Sequence, residues 1–274
     1  MSVTTHPRPA RTAGPDPSAL PGARDGRDPA RAIKRGPSRL PAEFVAATQR
    51  DRLFDAMART VAQEGYANAT VSDICRAAGV TRPAFYVHFD SKQGAFLATY
   101  RHGTEVLFRM MEQAHEQAPD WPAATAASLR VLLEVLASAP AFATMAIVEI
   151  DAVGAEARAE RERLLQRFRL LFGGAPRPSG AVAARELVDT VVGGVYHAIY
   201  RAIAARRIQD LPELLPTLTY FVLAPFLGSA AAAPSVAQNG SGSGSGSGSE
   251  TGSGSGPQRP AVAPCAPLFR APQL

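Results

Sequence analysis

The chain has 274 residues with 29 basic and 24 acidic groups, a net charge of +5 and an apolar share of 46%. That length suits one or two folded units rather than a large multidomain enzyme, and the apolar share suffices to bury a core. Two cysteines, Cys75 and Cys265, exclude a disulfide framework, and no apolar leader follows the basic start; the expectation is a cytoplasmic protein without a membrane segment.

Residues 1–40 hold all of the excess charge, eight basic groups from Arg8 to Arg39 against Asp16, Asp25 and Asp28. Rich in Pro, Arg, Ala and Gly, they bury too little to offset their ordering entropy and are predicted to form a disordered basic arm. From residue 41 the pattern is helical. Leu53, Phe54, Met57 and Val61 recur at helical spacing, and Gly65 stops that helix. Thr70, with Asp73 three residues on, reads as a capping box for a short helix that Gly79 ends. Thr81 caps the next, where Pro83 is tolerated because first-turn N–H groups lack helical partners anyway. Asp90 with Gln93 opens a long helix striped by Phe96, Leu97, Tyr100, Leu107, Met110 and Met111.

Further helices fit 123–138, 140–152, 155–172, 181–206 and 211–227. No stretch alternates with period two for long enough to make a sheet, so the fold class is all-α. The charge-free run from Thr217 to Gln238 is broken by Pro225, Gly228 and Pro234, and reads as a buried helix with a frayed end rather than a membrane span. Residues 231–256 read as a flexible linker, alanines and then Gly/Ser, and 257–274 as a Pro-rich disordered tail.

The informative stretch is TVSDICRAAGVTRPAFYVHF, Thr70 to Phe89. Two short helices joined by a tight glycine turn must cross steeply, the arrangement of a helix-turn-helix. Ile74, Val80 and Phe85 face inward, Cys75 is small where the helices meet, and Gly79 supplies a left-handed backbone. The run DICRAAGVTRPAFYVHFDSKQGAFL, with AQEGYANATV before it, resembles the signature of the tetracycline-repressor family of bacterial transcription regulators over residues 48–108. Cys75 stands where that family usually has alanine.

The resemblance implies a three-helix DNA-binding domain, here 41–91, and a larger helical domain for dimerisation and ligand binding, here 92–230. Position by position, it places Thr81, Arg82, Pro83 and Ala84 at base edges and Tyr86, His88 and Lys92 at phosphates. Thr70 would hold the backbone at the second helix's start. Arg82 has the fork to pair with guanine, and a dimer would read a palindromic operator in successive major grooves. Whether the basic arm follows the duplex or is a solvated tail stays open.

In the regulatory half, Val188, Val191, Val195 and Ile199 form one stripe with Leu218, Phe221 and Val222 on the last helix, and these are the expected dimer interface. Phe142, Met145, Glu149, Tyr196, His197 and Tyr200 combine apolar bodies with polar tips and are the expected contacts of a small-molecule effector. No cofactor or metal is expected. Glu112 and His115 have the spacing of a di-metal helical bundle, but only one copy is present. With no nucleophile elbow, P-loop or dinucleotide fingerprint, the expectation is a regulator and not an enzyme. The competing reading is a scaffold that docks through its Pro-rich tail.

Overall fold

A computed structural model describes residues 19–25, 27, 41–176 and 184–232 of the chain. Among them there are helices and no strand. The first helix, α1 (Ala42–Glu64), buries Leu53, Phe54, Met57 and Val61 and ends at Gly65, whose φ of 78° few other residues adopt. The capping box at Thr70 forms as the sequence predicts: its hydroxyl accepts from Asp73 N, and Asp73 accepts from Thr70 N, each at 3.2 Å. It opens α2 (Val71–Ala78), which Gly79 closes in the left-handed region. Thr81 caps α3 (Arg82–His88) through a 3.3 Å hydrogen bond from Ala84 N.

The long α4 (Lys92–Glu116) is capped by Ser91, whose hydroxyl accepts from Gly94 N at 3.0 Å, not by Asp90 as expected. The two residues are neighbours of similar capping strength, and spacing to the first free N–H decides between them. Then come α5 (Trp121–Ser138), α6 (Pro140–Thr144), a π-turn over Met145–Glu149 and α7 (Ile150–Val153). The helix expected at 140–152 thus exists but carries an extra residue in its middle. Next is α8 (Ala155–Phe168), with a 3₁₀ turn over Arg169–Phe172. After α9 (Ala184–Ala204), a second 3₁₀ turn over Ile208–Leu214 leads into α10 (Leu215–Leu227). α10 and the 3₁₀ turn before it pack on α5, which packs on α4, while α1 rests on α6 and the π-turn. No single described helix is long and apolar enough to cross a membrane.

Three expectations need correction. The arm is not featureless throughout: residues 19–25 pack onto α1, and Arg27 reaches the end of α2. Leu20 is 7% exposed, Gly22 N donates to Asp55 at 2.9 Å, and Asp55 is itself buried at 1% exposure. Arg24 pairs with Asp51 at 3.1 Å, Arg59 with Asp25 at 3.0 Å, and Arg27 donates to Arg76 O at 2.6 Å, at the electronegative end of α2. One buried leucine plus a hydrogen bond to a buried acid outweighs the local composition; burying Leu20 is worth about 1.5–3 kcal/mol. The linker also starts later than expected, because 229–232 form a helical turn with Ala232 buried. The rest of the arm, the Gly/Ser linker and the Pro-rich tail lie outside the described residues.

The third correction concerns the stripe on the last helices. Val191, Val195, Ile199, Leu218 and Val222 are buried in the chain's own core, and Val188 packs against it, so they are not a surface for a partner. A continuous apolar stripe on a helix marks the face with the most to bury, and here that is the intramolecular one. The outward faces carry Gly193 and His197 on α9 and Tyr220 and Phe221 on α10, the last two each 40% exposed. Gly194 lets the Phe221 ring lie against α9; a Cβ there would meet the ring at 2.7 Å.

Candidate functional site

Of the eight residues singled out around the helix-turn-helix, Thr70, Thr81, Arg82, Pro83 and Tyr86 are exposed, and Ala84, His88 and Lys92 are half-buried. Phe85 is fully buried and anchors α3 on Phe89, with ring centroids 5.5 Å apart. The short helix is thus held at both ends, by a cap and by an aromatic plug, and turns its other sides to solvent. Val87, not singled out from the sequence, is 79% exposed. Its signal was present: it lies two residues past Phe85 on a seven-residue helix, on the side away from the plug.

Two of the expected phosphate contacts have other engagements. Lys92 Nζ donates to Tyr66 O at 2.7 Å and Ala69 O at 2.9 Å and lies 4.2 Å from the Tyr66 ring centroid. It therefore fastens the α1–α2 loop to the start of α4, a role that single-sequence spacing does not show. His88 lies 3.5 Å from Gln49 Oε1, and burial, assisted by Arg50, pushes its pKa below the usual imidazole range. At neutral pH its ring carries no counter-charge.

The second site is a cavity of about 100 Å³ between α4, α5, α6, the π-turn, α8 and its 3₁₀ turn, α9 and α10. Leu107, Leu132, Phe142, Leu164, Phe168 and Val195 are among the side chains that make its wall almost wholly apolar. Of the six residues expected to touch an effector, Phe142 and Tyr196 line it. The other four do not. Met145 is buried beyond the wall, His197 is exposed and stacks on Tyr200, and Glu149 is engaged elsewhere. Polar-tipped side chains were the wrong signal for a pocket that uses few of them. Gly103 was also missed. It is buried on α4 with the Phe142 ring in the space a side chain would fill, a Cβ meeting that ring at 2.2 Å.

The cavity and the helix-turn-helix are joined through the π-turn. Ile147 lines the cavity, and its carbonyl accepts from the Tyr196 hydroxyl at 3.1 Å. Two residues on, Glu149 Oε2 accepts from Tyr66 N at 2.7 Å. Tyr66 belongs to the same loop that Lys92 holds. Burial raises the Tyr196 phenol above its ordinary pKa, so it stays a hydrogen-bond donor well beyond neutral pH.

The family described as bacterial regulatory proteins, tetR family, matches residues 53–99, from within α1 into α4. That match covers the helix-turn-helix and the elements on either side of it, and the rest of the chain lies outside it. Solved structures with the same fold include a fatty acid degradation regulator FadR from Bacillus halodurans, at 19% identity and a TM-score of 0.57, covering 63% of this chain and 97% of that one. A FadR from Bacillus subtilis, solved with stearoyl-CoA, has 16% identity and a TM-score of 0.56 and covers 65% and 97%. A tetR-family protein from Rhodococcus RHA1 has 14% identity and a TM-score of 0.53 and covers 65% and 96%. At these identities the likeness is one of fold. No curated protein matches the sequence.

Proposed function

We propose that this chain is a ligand-responsive repressor that binds a palindromic operator as a homodimer and is released by an effector with a long apolar body. The observation that carries the reading is the pairing of an outward α3, inside a tetR-family segment, with an apolar cavity linked to it by the π-turn. Residues 41–91 act as the DNA-binding domain and 92–230 as the regulatory one. Arg82, Pro83 and Ala84 approach base edges, and Tyr86 approaches the backbone. The outward faces of α9 and α10, with Gly193, His197, Tyr220 and Phe221, meet a second copy, so that two α3 helices address successive major grooves about 34–36 Å apart.

The apolar wall favours an effector such as a fatty acyl chain, and the FadR solved with stearoyl-CoA is a precedent for that chemistry in the fold. An effector that fills the cavity acts only to the extent that it fits the DNA-free arrangement better. Ile147 and Tyr196 are the wall elements that would feel it, and Glu149 would pass the change to the α1–α2 loop. Selection of bound duplexes from random DNA, followed by titration of the selected complex with stearoyl-CoA, tests the whole reading. A recovered palindrome that stearoyl-CoA releases is expected. No enriched duplex overturns the DNA reading, and an unresponsive complex overturns this effector class alone.

A further inference from the structure

The crest of the reading helix is apolar. A helix turns about 100° per residue. Counted from the buried Phe85, that places Pro83 at about 160° and Val87 at about 200°, on either side of the point opposite the core. Arg82 and Tyr86 lie on one flank and Ala84 on the other. The exposures agree with this geometry: Val87 is at 79%, above any other large apolar side chain among the described residues, while Tyr86, on the flank and edge-on to Phe85, is at 48%. Thr81, the nearest hydroxyl on this turn, already accepts from Ala84 N as the cap.

A ridge of this kind offers no hydrogen bond to a base. The one apolar feature that base edges present in the major groove is the C5-methyl of thymine. We propose that Val87, supported by Pro83, is a specificity-determining residue that selects thymine methyl groups at the middle of each half-site, beside the base read by Arg82. Val87 has no intramolecular partner that explains an apolar side chain there. Its branched shape covers a methyl as it would in a core, and the water released from both surfaces supplies the preference. The inference rests on the DNA-binding reading above and refines it.

Deoxyuridine isolates the methyl, because it pairs as thymine does and lacks only that group. The probes are the duplex recovered by selection and its single thymine-to-deoxyuridine variants. For the wild-type protein, one or two central positions per half-site lose about fourfold in affinity per methyl removed. In Val87→Ala the same substitutions have no effect, and in Val87→Ile the fourfold difference is retained. Val87 is exposed, so these variants keep the wild-type melting temperature. The inference is overturned if deoxyuridine is neutral at every position, or if Val87→Ala shows the same loss as wild type. Failure to recover any duplex is a different result, which overturns the DNA-binding reading and this inference with it.

Discussion

Around α3, the side chains that matter face water, held outward by a cap and a single buried ring. Around the cavity, the informative side chains face inward and nearly all are apolar. The first region announces itself in sequence because a short helix with a required cap, turn glycine and plug leaves little freedom at each position. Thr70, Gly79, Thr81 and Phe85 all take the places their chemistry dictates. The second is degenerate, since any leucine on a helix lines something, and which ones line an empty space depends on how eight elements pack. Local rules specify a short capped helix with an outward face, and only tertiary packing specifies a pocket.

The largest expected effect lies at the cavity. Phe142→Ala removes a fully buried ring from its wall and from the notch at Gly103, and should cost about 3–5 kcal/mol of stability in thermal or urea unfolding. A loss below about 1 kcal/mol would mean that the ring is not seated as described. The change enlarges the pocket, so any variant that still folds should admit a bulkier apolar effector.

The same contrast explains what the sequence withheld. Val191, Val195, Ile199, Leu218 and Val222 were legible as one apolar stripe, but a stripe does not say whose apolar surface it meets, and it meets the chain's own. Glu149 and Lys92 were legible as charges, and their neighbours suggested a ligand and a phosphate. Their partners instead include Tyr66 N and O, main-chain groups 83 and 26 residues away in sequence. Backbone donors and acceptors are present at every residue and carry no sequence signature, so such contacts appear only when the fold brings them together.

A smaller effect should appear where the two regions meet. Glu149→Ala removes the acceptor of Tyr66 N while leaving both the cavity wall and the face of α3 untouched. Effector binding, followed by calorimetry without DNA, should be unchanged. The factor by which effector weakens operator binding should fall, within the range of about 1–3 kcal/mol typical of coupling between sites. Unchanged coupling would move the connection elsewhere, with the length of α4 as the next candidate. Loss of effector affinity would mean that Glu149 reaches the ligand after all.

The smallest effect is electrostatic and belongs to the frame between the two regions. His102 on α4 stacks on Phe54 of α1, with centroids 4.9 Å apart. Burial holds its pKa below the ordinary 6.5, helped by Arg50 and Arg109, against the pull of Asp51 and a hydrogen bond with the Ala19 backbone. A histidine whose folded pKa is depressed binds fewer protons folded than unfolded, so stability rises with pH and is lost as pH falls below the unfolded value. The melting temperature should therefore fall from pH 7 toward pH 5.5. The slope attributable to this ring should be a fraction of the limit of about 1.4 kcal/mol per pH unit, because the ring is only half-buried and solvent screens it. His102→Gln should flatten that part of the slope, and His88→Gln should flatten the part that arises at α3, where burial acts in the same direction. If neither substitution changes the slope, both rings take up protons in the folded protein as they do in the unfolded chain, and the packing of α1 on α4 is looser than the contacts between Phe54 and His102 imply.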